Sequence, residues 1–181
     1  MSEATAPAPA ARQRDVWADA AFDWWQALSE QDGKGKGPNL RGDRAELRRA
    51  RVAADVYTNP SFHTLLRRLG ANAVADDKTA RSVGVLAAVL AHVDHHEPGG
   101  FARQAATGDN GRVLSMPRFR RLLQKQTAEE LQPDLMRAVR LIGDVADVRD
   151  LAASILRWND ATRRRWAFEY FQHANPKTVK E

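Results

Sequence analysis

Arginine is the residue type in this sequence that most clearly indicates a binding function, and it is densest in residues 40–51, LRGDRAELRRAR. An α-helix has 3.6 residues per turn, so this segment places a set of arginines within about a quarter-turn of one another: Arg41, Arg44, Arg48 and Arg51. Leu47 and Ala50 fall on a different side. Guanidinium groups match phosphate oxygens, so the spacing favours a helix that packs on a bundle and faces a phosphate backbone. The alternative is a solvated basic face that keeps the protein soluble.

The charges of the whole chain are distributed unevenly. Lys and Arg number 28 against 23 Asp and Glu, a net charge of only +5. Residues 41–68 carry seven basic and three acidic side chains. Residues 112–125 carry five basic side chains and no acidic one, whereas residues 126–160 carry four basic and seven acidic side chains. This segregation indicates a binding surface for a polyanion, although charge alone does not identify the polyanion.

The histidines are the only residues whose spacing resembles a metal site. His92 and His96 lie four residues apart, with His95 nearby. The HExxH motif of metallohydrolases requires Glu after the first His, where Val93 stands, and the HD-type phosphohydrolases require a His-Asp dipeptide that the sequence lacks. We therefore interpret the histidines as a cluster at the negative end of a helix dipole.

The sequence lacks the residues and motifs that usually carry out nucleophilic catalysis. The chain has no cysteine, no GxSxG motif and no serine with obvious partners. We expect a protein that is not an enzyme and that uses no metal and no cofactor. The absence of cysteine also fits a reducing cytoplasm. The N-terminal segment lacks the apolar region of a secretory signal, and no apolar run approaches the roughly 20 residues that span a bilayer, so we expect a cytoplasmic protein without membrane contact.

The elements that must position the arginines are predicted to be helices. Apolar residues recur at helical spacing in about eight segments, and no alternating strand pattern of useful length occurs. We predict an all-α fold, a single compact helical bundle in residues 14–174. Residues 1–13, rich in Ala and Pro, and residues 175–181 are expected to be tails, the first of them disordered.

Capping residues mark where several helices begin. The predicted N-terminal caps are Asn59, Ser115, Thr127 in a capping box with Glu130, Asp147 and Asn159. The longest predicted helix, residues 78–96, is apolar nearly all round, which places it at the centre of the bundle. The aromatic residues predicted to pack in the core are Trp24, Trp25, Trp166, Tyr170 and Phe171.

Residues 31–39, QDGKGKGPN, form a Gly-rich segment with two lysines. It lacks the GxxxxGK[ST] pattern of a phosphate loop, and no strand precedes it, so a flexible connector is the default interpretation. Contact between its lysines and a nucleic-acid backbone stays open.

Several segments follow one another in a particular order along the chain. They are a Trp-rich helix around Trp24, RAELRR at 44–49, NPSFHTLL at 59–66, the central apolar helix, RFRRLL at 118–123, ILRW at 155–158 and WAFEY at 166–170. This order resembles the CasB family, the small subunit of the type I-E CRISPR Cascade surveillance complex. The resemblance covers about residues 15–174, and the order and length carry it rather than any single motif.

The resemblance implies an all-helical, non-catalytic protein that acts in antiviral defence. Two copies would assemble head to tail in Cascade, contact its backbone and large subunits, and bind the crRNA, the target DNA and the displaced strand, which stabilises the R-loop. Because base pairing reads the sequence in such complexes, the protein needs contacts with the nucleic-acid backbone only.

The candidate nucleic-acid-binding residues come from two sources. Arg48, Arg49 and Arg118 match basic positions of the family. Helical-wheel geometry adds Arg44, Arg51, Arg81, Arg121, Lys125 and Arg164. For this second set, a solvated or carboxylate-paired side chain is the alternative.

Two other functions stay open. A free-standing helical DNA-binding regulator would need a helix-turn-helix, and the segment RFRRLLQK could supply its recognition helix, although arginines there suit phosphates better than base edges. A purely structural adaptor would use its arginines on acidic protein surfaces. Sequence-specific binding by the isolated protein would favour the regulator, and binding insensitive to substitution of Arg48 and Arg49 would favour the adaptor.

Overall fold

The computed structural model describes residues 9–29, 40–108 and 113–174, and within them the fold is all-α, as predicted. The helices are α1 (Pro9–Ser29), α2 (Leu40–Leu47), α3 (Pro60–Leu69), α4 (Asp77–Leu90), α5 (Phe101–Thr107), α6 (Met116–Leu123), α7 (Ala128–Leu141), α8 (Val148–Ile155) and α9 (Asp160–His173). Short 3₁₀ helices span Ala53–Val56 and Ala71–Val74. Two-residue strands β1 (His95–His96) and β2 (Val145–Ala146) pair in parallel.

Helix α1 begins earlier than the sequence suggested. It starts at Pro9, inside the segment 1–13 that we assigned to the N-terminal tail. Proline suits the first position of a helix, and the alanines that follow have the highest helix propensity, so this part of the segment is helical. Residues 1–8, residue 30 with the Gly-rich segment 31–39, residues 109–112 and residues 175–181 lie outside the described residues.

Helix α4 is the centre of the bundle, as predicted. Every residue from Ser82 to Leu90 is buried. A Cβ added at Gly84 would lie 2.9 Å from the carbonyl oxygen of Ala53, so glycine permits the 3₁₀ helix Ala53–Val56 to pack directly on α4. The helix stops at Leu90 and does not continue to His96, because the chain beyond it pairs with β2.

Trp24 and Trp25 of α1 are core residues, as predicted. Both are buried, and each also donates an indole hydrogen bond to a distant carbonyl group. Trp24 Nε1 donates to Ser61 O at 2.8 Å, and Trp25 Nε1 donates to Val93 O at 2.8 Å. These bonds attach α1 to the start of α3 and to the chain that leaves α4.

Helix α9 contributes Trp166 and Tyr170 to a second aromatic cluster. Tyr170 stacks on Phe119 of α6 with 3.9 Å between ring centroids, and its hydroxyl donates to Leu114 O at 2.7 Å. The prediction that Phe171 is buried was wrong, since its side chain is exposed. Positions 166 and 170 lie about 40° apart around a helix, whereas position 171 lies about 100° beyond 170 and leaves the buried face.

The predicted caps begin the predicted helices. Side chains accept backbone N–H bonds at Asn59, Thr127, Asp147 and Asn159, whereas Ser115 occupies the N-cap position without a side-chain bond. The capping box is altered, because the Glu130 carboxylate accepts from the backbone N–H of Gln126 rather than from that of Thr127.

Replacing Trp166 by alanine tests the second aromatic cluster. The ring is fully buried against Phe101, Phe119 and Trp158, so we expect Trp166→Ala to lower the free energy of unfolding by about 3–5 kcal/mol. Urea denaturation measures the change. Phe168→Ala, on the exposed side of the same helix, is the matched control and should change stability little. Equal losses in the two variants would contradict a core role for Trp166.

Candidate nucleic-acid interface

Arg44 and Arg48 lie beside the C-terminal end of α4 and bind carbonyl groups of the residues that follow it. Arg44 Nε donates to Ala91 O at 3.0 Å and Arg44 Nη2 to Val93 O at 2.6 Å, while Arg48 Nε donates to Ala91 O at 2.7 Å. Both guanidinium groups also pair with Asp94 Oδ1, at 2.8 Å and 2.5 Å. The last carbonyls of a helix lack intrahelical partners and carry negative partial charge, so cationic donors stabilise them.

The four arginines that were predicted to share one helical face in residues 40–51 therefore do not have a common role. Helix α2 ends at Leu47, and Arg51 lies beyond it, so the four arginines do not share one helical face. The side chain of Arg44 is only 17% exposed, and burial together with the neighbouring Arg48 lowers the pKa of its guanidinium. An arginine remains protonated despite such a shift. Arg44 is engaged inside the fold.

Arg49 and Arg51 face solvent beside this inner pair. Both residues are exposed, and the guanidinium of Arg49 forms no hydrogen bond or ion pair with a described residue. The backbone N–H of Arg51 donates to Asp55 Oδ2 at 2.7 Å, which fixes the turn after α2. Arg51 belongs to the predicted set of four arginines and Arg49 is its near neighbour in the chain; a phosphate can reach either exposed side chain.

The position of α2 is set by its carboxylates and by the cap of α3. Ser61 Oγ donates to Asp43 Oδ2 at 2.6 Å, and the buried Asn59 side chain donates to Glu46 Oε2 at 2.8 Å while it caps α3. The two acidic residues of this basic segment therefore already accept hydrogen bonds from the start of α3.

A second basic surface lies between α6 and α7. A shallow cavity of about 70 Å³ is lined by three arginines, three apolar residues and one carboxylate: Arg118, Arg121, Arg137, Leu114, Ala138, Leu141 and Asp134. We call these residues the α6–α7 surface. Arg118 and Arg121 are exposed and form no ion pair with any residue that the structure describes.

The carboxylate of the α6–α7 surface is already neutralised. Asp134 pairs with Lys125 Nζ at 3.1 Å and with Arg137 Nη1 at 3.4 Å, and its side chain is only 12% exposed. Sequence reasoning found Arg118, Arg121 and Lys125 but missed Arg137. The i,i+3 spacing of Asp134 and Arg137 was visible in the sequence, but the face of α7 that meets α6 was not.

The two remaining candidates differ in their pairing. Arg81 pairs with Asp77 Oδ2 at 2.6 Å and with Glu129 Oε2 at 3.3 Å, which is the carboxylate-paired alternative stated above. Arg164 is exposed on α9 and has no such partner among the described residues. The nine predicted residues are distributed over α2 and the turn after it, the first half of α4, α6 and the turn after it, and α9.

The histidines do not form the predicted helix-end cluster, since His95 and His96 belong to β1. Buried His92 accepts a hydrogen bond at Nδ1 from Arg140 Nε at 3.3 Å. Burial, together with the nearby Arg140 and Arg48, lowers the pKa of His92 to about 4, so this side chain is neutral at pH 7. The described residues contain no group of three potential metal ligands, and none of their helices is long and apolar enough to cross a membrane.

Comparisons with known proteins identify a family and a fold. The sequence model of the family described as CRISPR-associated protein Cse2 matches residues 43–171. A chain in the crystal structure of E. coli Cascade bound to a PAM-containing dsDNA target has a similar fold, with a TM-score of 0.63 and 17% sequence identity. The alignment covers 85% of this chain and 97% of that chain. No curated protein sequence matches.

The pH dependence of stability tests the neutral state of His92. Its pKa is lower in the folded protein than the ordinary value of 6.5, so between about pH 6.5 and pH 4 the unfolded chain binds a proton that the folded chain does not. Stability should therefore fall as the pH falls through this window, by on the order of 3 kcal/mol from this residue alone.

The control is His92→Gln, which retains an acceptor for Arg140 but cannot titrate. Urea denaturation at several pH values between 4 and 7.5 measures both proteins. The stability of wild type should decrease more steeply than that of the variant as the pH is lowered. Parallel curves would show that His92 has the same pKa in the folded and unfolded chains.

Proposed function

Because the chain belongs to the CRISPR-associated Cse2 family, which the sequence resemblance identified as CasB, we propose that it is the non-catalytic small subunit of a type I-E Cascade complex. In this role it binds the backbone and large subunits and a second copy of itself. Its basic surfaces hold the crRNA, the target DNA and the displaced strand, and this contact stabilises the R-loop in antiviral defence. The protein would act in the cytoplasm.

The α6–α7 surface is the observation that carries the nucleic-acid part of this proposal. Three arginines and one carboxylate line its cavity, and that carboxylate is already paired with Lys125 and Arg137. Arg118 and Arg121 form no ion pair with a described residue, so they can bind phosphate oxygens without giving up such a contact. Contacts of this kind are independent of sequence, which suits a complex in which base pairing supplies the specificity.

The other predicted residues enter the proposal according to their present contacts. Arg49, Arg51 and Arg164 are exposed and would bind phosphate directly. Arg44, Arg48, Arg81 and Lys125 already bind carboxylates, so each would have to share or exchange its partner with a phosphate. We therefore assign this second group a smaller part of the binding.

A free-standing regulator remains the alternative. Its recognition helix would be α6, which has eight residues and buries Phe119 and Leu122. Its exposed face carries Arg118, Arg120 and Arg121, whose charges suit a phosphate backbone rather than the edges of bases. This composition favours the Cascade proposal over a sequence-reading function.

Co-purification tests the proposed function. The full-length chain is expressed with the other Cascade subunits and a crRNA, and target-DNA binding is measured for complexes with and without it. We expect the chain to co-purify and its omission to weaken R-loop formation. A chain that stays out of the complex would overturn the subunit role, and specific DNA binding by the isolated chain would then favour the regulator.

The double variant Arg118→Ala, Arg121→Ala tests the α6–α7 surface. Removing two phosphate contacts should weaken nucleic-acid binding for every sequence and reduce the slope of log K against log[salt] by roughly 1–2. Arg67→Ala with Arg68→Ala on α3 removes the same charge from another exposed site and is the matched control. Equal effects of the two pairs would show that only net charge matters.

The double variant Arg48→Ala, Arg49→Ala tests the other basic surface. We expect weaker binding across sequences and a salt slope lower by roughly 1–2. Because Arg48 also binds Ala91 and Asp94, this variant should lose stability, whereas Arg49→Ala alone should keep it and still lower the slope by roughly 1. An unchanged slope in both variants would count against phosphate contact and favour the adaptor.

A further inference from the structure

Helix α9 carries aromatic residues on its outer side as well as in the core. Phe168 is 67% exposed and Phe171 is 43% exposed, while Trp166 and Tyr170 of the same helix are buried. Exposed aromatic rings cost hydration free energy, and they commonly mark binding surfaces. The described chain leaves most of Phe168 and part of Phe171 uncovered.

A cationic side chain lies beside these rings. Arg164 is one turn before Phe168 on the helix, and Phe171 is three residues after it, so the three side chains are neighbours on one face. We call this set the α9 aromatic face. Arg164 is exposed and forms no ion pair with a described residue.

The carboxylates of α9 do not offset this positive charge. Glu169 pairs with Arg165 at 3.1 Å, and Asp160 pairs with Arg163. Arg165 also pairs with Asp150 of α8 at 2.8 Å. An anionic ligand can therefore approach the two rings without meeting a free carboxylate of this helix.

We infer that the α9 aromatic face binds single-stranded nucleic acid, with a base stacked on Phe168 and a neighbouring phosphate on Arg164. Rings stack on any base, and guanidinium groups bind the backbone, so this pairing of residues recurs in surfaces that hold single strands. The inference rests on the proposed function for the presence of such a strand, and it adds a contact with bases to the phosphate contacts of the α6–α7 surface.

A protein partner fits the α9 aromatic face less well. The centre of a protein interface is usually a broad apolar patch with a polar rim. Here the large exposed apolar side chains of α9 are two phenylalanines only, and no exposed leucine, isoleucine or valine of this helix widens the patch. A narrow positive face with two rings suits a strand of bases better.

The test compares two strands that carry the same phosphates. The full-length protein is titrated with a single-stranded DNA oligonucleotide and with an abasic strand of equal length. Wild type should bind the strand with bases more tightly. Phe168→Ala should weaken binding of that strand by about five- to tenfold and leave the abasic strand unchanged, while Phe168→Trp should keep the wild-type affinity and Phe168→Leu should not.

Two controls separate this contact from the phosphate surface and from unfolding. Val74→Ala removes an exposed apolar side chain elsewhere and should change neither affinity. Arg118→Ala with Arg121→Ala should weaken the binding of both strands equally. Melting temperatures should match wild type for the Phe168 variants, since the ring is exposed.

Several results would overturn the stacking contact. If wild type binds both strands equally, the stacking contact is absent and the phosphate contacts of the proposed function stand. If wild type binds neither strand, the proposed nucleic-acid contacts fail as well. If Phe168→Ala weakens association with the other Cascade subunits and leaves both strands unaffected, the α9 aromatic face is a protein contact.

Discussion

The fold depends on how the C-terminal end of α4 is satisfied. This helix lies at the centre of the bundle, so its last carbonyl groups cannot all reach water. Arg44, Arg48 and the indole of Trp25 donate to the carbonyls of Ala91 and Val93, and this attaches α1 and α2 to the centre. Unsatisfied carbonyls in this position would cost more free energy than any surface ion pair supplies.

This constraint divides the arginines of the protein into two groups. Arg44 and Arg48 are fixed by carbonyls and by Asp94, while Arg49 after α2, Arg118 and Arg121 on α6 and Arg164 on α9 face solvent. The acidic residues follow the same division, since Asp43, Asp94 and Asp134 all bind partners within the protein. A chain with a modest net charge can thus present strongly basic surfaces.

Much of the fold was visible in the sequence. Asn59, Asp147 and Asn159 begin helices where local capping chemistry requires, and the apolar run of residues 82–90 predicted the central helix. Individual limits of the helices were less predictable. The central helix stops at Leu90 because the residues after it form other hydrogen bonds: Ala91 accepts one from Arg44 of α2, and β1 pairs with β2. These partners are distant in the chain.

The sequence by itself determined the helical class, the starts of the capped helices, the family and the excess of arginine, because caps, apolar periodicity and the order of segments are local properties. Only the tertiary structure decided which arginines are available to bind a ligand. Arg48 and Arg49 are adjacent in the chain, yet one binds Ala91 and Asp94 while the other faces solvent. A guanidinium forms hydrogen bonds with whichever acceptor the packed helices bring within reach. For Arg48 that acceptor is the carbonyl group of Ala91, which lies 43 residues away in the chain.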